Sequence, residues 1–543
     1  MKKTRSIIAL CLVVLICITA FVACDVKGDV GNGDNNGNIN GKPSSNCTHV
    51  DANNDKICDK CYRDMDGDCV HVDANNDGLC DACKVTVVVD VDFYAINDLH
   101  GMYVETEDQP GVEGLTTYLK QKRENGNVVV LSSGDMWQGS SESNNTKGKL
   151  ATEWLNYIEC SAMTLGNHEF DWKTDKIKAN AELAEFPFLA INVYECATNQ
   201  RAAYCQPSVM IEKDGAKIGV IGAIGDCYSS ISASMCKDVY FKVGNELTAL
   251  IKAESDKIKK QGADYIVLSI HDGYEDSSSY SQSISDSEMT WYDAALSNGY
   301  VDMVFEGHTH QSYMLKDSHG VNHLQAGGYN DGVSHADVSI NFANGNSNTR
   351  VDILRSREYG KSADDGIIAS LVQKYGDEIG NPDEVIGYNS NYRNSAYLRT
   401  AMARAYYEKG EKTWGDKYNI VLAGGYINCR SPYHLAAGNV TVRQIQMLFP
   451  FDNEMHLCRI SGRVLLNRYF NNTSYIYYYD SYGESVKTKL QSGQGLNDTY
   501  YIVTDSYNTD YAPNALTMVE TLGETAYPRD CLIDYIRAGA FKS

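Results

Sequence analysis

The sequence predicts an α/β fold in which a layered sheet-and-helix domain is joined by a helix to a smaller α/β domain. Strand-like segments such as Phe188–Val193 and Lys217–Ile224 alternate, up to about Arg355, with helical ones such as Glu246–Gln261. This alternation is typical of layered α/β domains. The chain has 543 residues, of which 43% are hydrophobic, and this is enough for two ordinary domains plus further segments.

The first residues have the composition of an export signal. A basic start over residues 1–5 and an apolar run over residues 7–22 predict a signal peptide at residues 1–23. Cys24 follows in a context that resembles a lipobox, with Phe21 in place of the usual Leu, so we expect cleavage before Cys24 and lipidation of its thiol. The alternative is an ordinary secretory signal with an incidental cysteine. Both interpretations predict an exported protein, at the cell surface or in the periplasm.

Residues 24–46 are rich in Gly, Asn and Asp and contain hardly any apolar side chain. Such a segment cannot bury enough surface to offset the entropy of ordering, so it predicts a flexible tether. A lipid anchor on this tether would hold a globular enzyme at a membrane.

Residues 47–84 contain two copies of one Cys/His/Asp pattern at a period of 22 residues. The shared positions are Cys47, His49, Cys58 and Cys61 in the first copy and Cys69, His71, Cys80 and Cys83 in the second. These residues can form a four-ligand zinc site, whereas the alternating acidic run Asp73–Asp81 resembles a calcium loop. Disulfides in an acidic spacer are a further alternative. We favour a small module stabilised by calcium or zinc, because roughly forty residues cannot build a core unaided.

Between residues 85 and 360, five strand-like segments carry polar side chains at their carboxyl ends, the edge where open α/β sheets bind ligands. Seven of these side chains are candidate metal ligands: Asp98, His100, Asp135, Asn167, His271, His308 and His310. Oxygen and nitrogen donors without cysteine suit Zn, Mn, Fe or Mg. Seven ligands are too many for one tetrahedral ion, but they fit two ions that share a bridging carboxylate, as in hydrolytic phosphoryl chemistry.

The backbone around two of these motifs can also be predicted. Gly166 precedes the densest cluster of polar residues, where glycine suits a tight strand-to-helix turn that a Cβ would obstruct. His308 and His310 lie two residues apart, so on an extended loop they would share one face and serve one site. The alternative to a metal site is that these residues are structural histidines and solvated aspartates. In that case, five strand ends would each have to carry such a residue by chance.

The order of the motifs resembles that of the calcineurin-like metallophosphoesterases. Asn97–Gly101, Gly134–Ser140 and Gly166–Asp171 are similar to the branch of 5'-nucleotidases, UDP-sugar hydrolases and 2',3'-cyclic phosphodiesterase/3'-nucleotidases. The resemblance covers about residues 88–540 and implies a dimetal domain over residues 85–360.

The resemblance also implies roles for the candidate residues. One ion would be held by Asp98, His100, Asp135 and His310, and the other by Asp135, Asn167, His271 and His308. His168 would then be free to stabilise negative charge on the substrate while metal-activated water attacks phosphorus. Asp171 lies three residues further on, close enough to orient the imidazole of His168.

Residues 361–384 predict a linker, in which Asp364–Glu378 has the apolar stripe of a helix. The resemblance implies that residues 385–543 form a C-terminal domain that binds the nucleoside. By the same resemblance, three residues are expected to bind the substrate: Arg430 as an anion ligand, and Phe451 and Tyr507 as aromatic rings on either side of the base. The alternatives are that Arg430 forms a surface ion pair and that Phe451 and Tyr507 are core aromatic residues. After Tyr507 the family usually has G-G-D-G-Y, whereas this chain has Asn508–Ala512, so its substrate preference can differ.

Charge and cysteine content restrict the function further. A net charge of −23 argues against a nucleic-acid polymer as partner, but two divalent ions would reverse the field locally and admit a mononucleotide. Cys196 with Cys205, and Cys227 with Cys236, are close enough in sequence to pair after export. No cysteine lies in a recognisable nucleophile motif.

The sequence therefore predicts an exported, dinuclear metal-dependent hydrolase that releases phosphate from nucleotides, of the 5'-nucleotidase type. A 2',3'-cyclic phosphodiesterase/3'-nucleotidase or a nucleotide-sugar hydrolase could use the same metal site. A different class of function is a cell-surface binding protein with a vestigial phosphatase domain, against which the intact ligand set argues. The oligomeric state is not predicted.

Overall fold

A computed structural model describes residue 69 and residues 71–106, 110–274, 300–317, 319–359, 365–472, 475–480 and 484–542. The predicted signal peptide, Cys24, the tether and the first Cys/His/Asp copy lie outside these residues. The described residues belong to one unit of the chain, residues 50–543. None of the described helices is long and apolar enough to span a membrane.

The predicted α/β class is confirmed, and we call residues 85–359 the first lobe. Its strands are β1 Val88–Ile96, β2 Asn127–Ser132, β3 Ala162–Thr164, β4 Phe188–Leu189, β5 Val193–Glu195, β6 Ser208–Lys213, β7 Ala216–Ile224, β8 Val239–Phe241, β9 Tyr265–His271, β10 Met303–Phe305, β11 Ser312–Lys316, β12 Asn322–Ala326, β13 Gly332–Asn341 and β14 Asn346–Arg355. Its helices are α1 Glu113–Arg123, α2 Ser141–Thr146, α3 Lys149–Tyr157, α4 Thr174–Leu183 and α5 Asn245–Lys260, with 3₁₀ turns at His168–Trp172 and Tyr228–Ser230.

Two six-stranded sheets form the centre of the first lobe. Their strand orders are β14-β13-β1-β2-β3-β4 and β11-β12-β10-β9-β7-β6, and the inner strands of each sheet pair in parallel. Side chains such as Phe93 and Val267 form a buried core shared by strands of both sheets. A second core contains Leu115 and Trp154 of α1 and α3, and a third contains Ile251 of α5. The lobe is therefore layered as helix, sheet, sheet and helix, and parallel strands in such layers bring their carboxyl ends to one edge.

The strand predicted at Lys217–Ile224 and the helix predicted at Glu246–Gln261 are found as β7 and α5, each within one residue of its expected bounds. The exception is Phe188–Val193, which was expected to be one strand. The structure has β4 at Phe188–Leu189 in the first sheet and β5 at Val193–Glu195 in a separate pair with β8. Between them the backbone of Ile191 bonds to Gly222 and the side chain of Asn192 to the carbonyl oxygen of Ile224. These contacts with β7 take the backbone out of the sheet.

The linker contains two short helices, α6 Ile367–Lys374 and α7 Gly376–Ile379, instead of the single helix expected over Asp364–Glu378. The break falls at Tyr375, whose hydroxyl donates to Glu153 at 2.5 Å, and at Gly376, a residue type that weakens helix interiors.

We call residues 385–542 the second lobe. Its strands are β15 Val385–Asn389, β16 Arg393–Asn394, β17 Ile420–Gly425, β18 His434–Leu435, β19 Gly438–Thr441, β20 Met455–Ser461, β21 Tyr477–Asp480, β22 Thr499–Asp505 and β23 Thr517–Thr521. Its helices are α8 Ser395–Trp414, α9 Val442–Leu448, α10 Gly462–Leu465, α11 Glu484–Gln491, α12 Ser506–Tyr511 and α13 Pro528–Arg537, with a π turn at Leu466–Phe470 and a 3₁₀ turn at Gly523–Thr525. A five-stranded sheet in the order β21-β17-β22-β20-β23 shares a core with α8 and α13.

Candidate active site

The seven candidate metal ligands lie together at the carboxyl ends of the first-lobe strands. Three overlapping groups have ligand atoms within 4.8 Å of one another. One contains Asp98, His100 and His310, the next His100, Asp135 and His168, and the third Asp135, His271 and His308. Asn167 adjoins the third group, because its Oδ1 lies 3.1 Å from His271 Nε2. The structure thus brings together all seven residues that the motifs identified.

Asp135 lies at the centre of the cluster. Its Oδ2 is 3.2 Å from His271 Nε2 and 3.9 Å from His100 Nε2, while Oδ1 accepts the backbone N–H of His168 at 2.8 Å. Burial raises the pKa of this carboxyl, but the surrounding histidines outweigh burial and hold the pKa well below its ordinary value. The position between two histidine groups is the one that a bridging carboxylate requires.

The histidines are oriented by hydrogen bonds on their far side. His100 Nδ1 lies 3.1 Å from the carbonyl oxygen of Gln138, and His271 Nδ1 lies 2.8 Å from that of Ser133. A carbonyl oxygen only accepts, so each Nδ1 carries a proton, and Nε2 is the atom that each ring turns towards the cluster. His100 Nε2 also lies 2.9 Å from His310 Nε2.

This donor set fits two divalent cations. The Nε2 atoms of His100, His310 and His271 lie beside side-chain oxygens, and these oxygens are the acceptor atoms of Asp98, Asp135 and Asn167. Burial lowers the pKa of His271, but Asp135 and Asp98 raise it to about 10. The two carboxylates therefore favour a positive charge at this position. Divalent ions such as Zn, Mn or Fe would bind to the same nitrogen and oxygen atoms, and their binding would displace any proton on those atoms.

Five of the seven candidate ligands have left-handed backbone conformations, with φ of 48° at Asp98, 49° at His100, 56° at Asp135, 72° at His308 and 56° at His310. Non-glycine residues rarely adopt this region, and such strain concentrates at functional sites. The extended loop expected at His308–His310 is therefore wrong. The two side chains nevertheless belong to neighbouring groups, His308 with Asp135 and His310 with Asp98.

Gly166 confirms the expected close approach of backbone. A Cβ at this position would lie 2.3 Å from Asp135 Oδ1 and 2.5 Å from the Asp135 backbone nitrogen. The following residues begin the 3₁₀ turn that carries His168. Only glycine therefore allows this turn to lie directly against the central carboxylate.

Glu169 is a positioning residue to which the sequence analysis assigned no role. Its buried carboxylate accepts the backbone N–H groups of Asp135, Met136 and Gly166 at 2.7 to 2.9 Å. Burial and the charge of Asp135 raise its pKa to about 7, against the effect of these donors. Glu169 thereby ties the Asp135 loop to the turn that carries Asn167 and His168. Its place beside His168 in the motif was the only available signal.

His168 lies between the two lobes. Its Nδ1 is 2.7 Å from Asp171 Oδ2, and its Nε2 is 2.5 Å from Nη2 of Arg430 in the second lobe. Burial lowers the pKa of His168 and Arg430 opposes its charge, but Asp171 and Asp135 outweigh both and raise it. Arg430 can only donate, so His168 accepts it at Nε2 and donates from Nδ1 to Asp171.

A cavity of about 210 Å³ extends from the metal-ligand cluster into the second lobe. Its walls include Asp135, Asn167, His168, Asp171, His308 and His310 from the first lobe, and Tyr426, Arg430, Phe451 and Tyr507 from the second. The ring of Phe451 lies 5.7 Å from that of His168, and Tyr507 lies 6.0 Å from Tyr426. All three residues predicted for substrate binding therefore line the same cavity as four of the seven candidate metal ligands.

The eleven cysteines of the described residues are free thiols. Neither of the pairs considered from sequence is formed. Cys205 donates to the carbonyl oxygen of Ala190 at 3.5 Å, Cys227 to that of Gly225 at 3.7 Å and Cys236 to that of Ser232 at 3.6 Å. Their side chains are directed to backbone acceptors instead of to each other.

Residues 91–312 match the family described as calcineurin-like phosphoesterases. Protein UshA of Yersinia enterocolitica is 29% identical over 245 residues, which are 44% of this chain and 43% of that protein. The 5'-nucleotidase of Vibrio vulnificus is 30% identical over 228 residues, 40% of each chain. The chain thus matches less than half the length of these curated relatives.

The fold is shared with a solved structure. The crystal structure of a 5'-nucleotidase precursor from Thermus thermophilus has a TM-score of 0.62 against this chain at 16% sequence identity. The superposition covers 83% of this chain and 96% of that one. At this identity the likeness concerns the fold alone, across most of the described residues.

Proposed function

Since residues 91–312 form a calcineurin-like phosphoesterase domain, we propose that this chain is an exported hydrolase that releases phosphate from nucleotides, of the 5'-nucleotidase type. One observation carries the proposal: a single cavity is lined both by the metal-ligand cluster and by Arg430, Phe451 and Tyr507. A mononucleotide has the matching parts, a phosphate at one end and an aromatic base at the other. The name 5'-nucleotidase, borne by relatives of similar sequence and fold, supports the same substrate class.

The metal centre is assigned to the first lobe. Asp98, His100, Asp135 and His310 would hold one ion, and Asp135, Asn167, His271 and His308 the other. Two divalent ions bound there would activate water at neutral pH and neutralise phosphate charge. Asp135 serves both groups because its Oδ2 faces histidines on two sides. Glu169 holds the Asp135 loop in place through three backbone hydrogen bonds.

His168 and Arg430 are assigned to the phosphate. The buried Nε of Arg430 has no hydrogen-bond partner among the described residues, and an unpaired buried donor of this kind costs free energy until an acceptor arrives. A phosphate placed against the two side chains would accept from Arg430, which would then turn from His168 Nε2 to the phosphate. Protonated at Nε2, His168 would donate to the same phosphate, while Asp171 stabilises the imidazolium. Negative charge that develops on the phosphate oxygens would then meet two positioned donors.

The base is assigned to the aromatic side chains of the second lobe. Phe451 and Tyr507 both line the cavity that Arg430 lines, and stacking on such rings does not depend on the identity of the base. Asn508 fixes the neighbouring loop, since its Oδ1 accepts the N–H of Tyr426 at 2.8 Å and its Nδ2 donates to the carbonyl oxygen of Tyr426 at 3.1 Å. The residues that depart from the family pattern after Tyr507 thus position an aromatic wall of the cavity.

The direct test is phosphate release by the full-length protein, first stripped of metal and then reloaded with Mn or Zn. The panel contains 5'-AMP, 3'-AMP, 2',3'-cyclic AMP, UDP-glucose and p-nitrophenyl phosphate, with the metal-free protein as control. We expect metal-dependent turnover with 5'-AMP as the best substrate. A preference for 3'-AMP or the cyclic substrate, or for UDP-glucose, would contradict the proposal in favour of the related activities of the same metal site. Metal-loaded protein that turns over no phosphoester would favour the binding-protein alternative.

A further inference from the structure

The second Cys/His/Asp copy is outside the site described above, and it brings four potential ligands together. Cys69, His71, Cys80 and Cys83 have their Sγ and ring nitrogen atoms within 4.8 Å of one another. Cys80 is buried and the other three are half-buried. We propose that these four residues bind one structural zinc ion, independently of the metal centre of the first lobe.

The distances fit a tetrahedral zinc site. Two sulfur atoms each about 2.3 Å from a tetrahedral zinc are about 3.8 Å apart, and the Sγ atoms of Cys69 and Cys80 are 3.7 Å apart. For one sulfur and one nitrogen ligand the corresponding separation is about 3.6 Å, and Cys83 Sγ lies 3.4 Å from His71 Nδ1. Three cysteines and one histidine are a common ligand set of structural zinc.

The local backbone holds the two cysteines of the Cys-x-x-Cys pair on one turn. The N–H of Lys84 donates to the carbonyl oxygen of Cys80 at 2.8 Å, and that of Asp81 to Val72 at 2.7 Å. The second bond joins the turn to the residues next to His71. Both halves of the ligand set are therefore held together by main-chain contacts that do not depend on a metal.

The disulfide and calcium alternatives fit less well. A disulfide requires sulfur atoms about 2.0 Å apart, and Cys69 and Cys80 are separated by 3.7 Å as free thiols. The acidic loop uses its carboxylates locally: Asp73 accepts the N–H groups of Asp77 and Gly78, and Asp77 accepts that of Leu79, all at 2.9 to 3.0 Å. Among the described residues, this loop does not bring three acidic groups around one point.

The zinc would attach this copy to the first lobe. Asp73 accepts from Asn341 Nδ2 at 2.6 Å, and Asn76 accepts from Asn344, on the loop that joins β13 to β14, and from Asn346, the first residue of β14. The ring of His71 packs edge-on against Phe342, 5.8 Å between centroids. Zinc bound to the four ligands would fix the conformation of this module and thereby stabilise its contact with the first lobe. A segment too short to build its own core needs such a constraint.

The contact lies far from the proposed chemistry. Asn341 pairs with Val88 at the start of β1, whereas Asp98 follows the other end of this nine-residue strand. At about 3.3 Å per residue the two ends of this strand are about 26 Å apart. The zinc is thus a structural element between the predicted tether and the catalytic lobe.

The test uses the full-length protein purified with zinc. A thiol-directed mercurial displaces zinc from cysteine ligands, and a chromogenic chelator counts the ions released; the first-lobe ligands contain no cysteine and are not attacked. We expect the C80S/C83S variant to release one equivalent fewer than the wild type, because the first copy keeps its own four residues. The C196S variant, which removes an exposed free cysteine elsewhere, should release as much as the wild type.

A spectroscopic measurement on the wild type does not depend on how the variant folds. Cobalt(II) exchanged into the protein should give the intense near-ultraviolet charge-transfer band of cobalt thiolates, and it should weaken in C80S/C83S. Equal zinc release from C80S/C83S and the wild type, absence of this band, or alkylation of Cys69, Cys80 and Cys83 only after reduction would each overturn the proposal.

Discussion

At the scale of single residues, the central question is what His168 does. It lies in the metal-ligand cluster, and its Nε2 is 3.9 Å from Asp135 Oδ2. Yet its Nδ1 is held by Asp171 and its Nε2 faces Arg430 of the other lobe. A metal ligand would turn Nε2 to the ion, whereas a substrate-binding group would turn it to the cavity beside Arg430, as observed here.

Substitution of His168 separates these roles. We expect His168→Ala to lower turnover by about 10²–10³, as for the loss of one positioned donor to developing charge, while two metal ions remain bound. Steady-state kinetics and elemental analysis of the same preparation measure the two quantities. Loss of one metal ion in parallel with activity would make His168 a ligand and contradict the assignment.

Glu169 is expected to act through the metal centre. Glu169→Gln replaces one acceptor oxygen by an amide donor, which cannot face the N–H groups of Asp135, Met136 and Gly166. We expect metal affinity to fall by about 10- to 100-fold, a loss that is typical of outer hydrogen-bond partners, in a metal titration of stripped protein. Glu182→Gln on the exposed surface of α4 is the control, and equal affinities of the two variants would refute a positioning role.

That the seven candidate metal ligands lie together could be predicted from the sequence, but their backbone conformations could not. Asp98 and His271 follow apolar runs that identify their strands, so the sheet edge could be inferred. The left-handed backbone at His308 could not, because its N–H is held by both oxygens of Asp98, 210 residues away. The role of Glu169 could not be predicted either, because it also depends on residues distant in sequence. Two of its three hydrogen-bond donors come from a loop more than 30 residues earlier.

At the scale of elements, the turn that carries Phe451 is held by a buried charge network. Asp452 pairs with Arg529 of α13 and with Lys147 of the first lobe, and Arg529 donates to the carbonyl oxygen of Phe451 at 2.9 Å. The same network therefore joins the lobes and fixes the aromatic ring. Burial raises the pKa of Asp452, but Arg529 and Lys147 outweigh burial and hold the pKa below its ordinary value.

Removal of this carboxylate should destabilise the protein in a pH-dependent way. Asp452→Ala leaves Arg529 buried without its partner, at a cost of about 3 kcal/mol, so its Tm should fall well below that of the wild type. A group with a lowered folded pKa stabilises above its unfolded pKa of about 3.9 and loses this contribution as the pH falls through the folded value. The Tm difference should thus be constant between about pH 5 and 7 and shrink below about pH 4.

The control is Asp383→Ala, which removes an exposed partner of Arg443 and should cost about 0.5 kcal/mol. Calorimetry of both variants across this pH range makes the comparison. Equal destabilisation by the two substitutions, or a difference that already vanishes near pH 6, would refute the proposed role of Asp452.

Element positions could largely be read from hydrophobic runs, whereas their division between sheets could not. Lys217–Ile224 was expected as a strand and is found as β7. Phe188–Val193 is likewise mostly apolar but divides, because the Asn192 side chain is held by the backbone of β7 and of Lys242. Such a break depends on neighbours brought by the fold and leaves no periodic signal in the segment itself.

At the scale of the whole molecule, the exported location is a prediction of residues 1–24 alone. We expect the full-length protein to sediment with membranes and to dissolve with detergent, because a lipid on Cys24 would insert into the bilayer. Cys24→Ala should move it to the soluble or uncleaved fraction, while Cys17→Ala, in the predicted signal peptide, should change nothing. A Cys24→Ala protein that is processed and membrane-bound like the wild type would refute the lipid anchor.

The central claim is that the first lobe cleaves the phosphate while the second lobe holds the base, and one comparison tests it most directly. The F451A/Y507A variant is assayed with 5'-AMP and with ribose 5-phosphate, which has the same sugar and phosphate but no base. We predict that kcat/KM falls by about tenfold or more for 5'-AMP, from the loss of stacking, and stays within about twofold for ribose 5-phosphate. Tyr475→Ala, on a tyrosine 68% exposed, is the control. Equal loss for both substrates, or no loss for 5'-AMP, would contradict the division of work between the lobes.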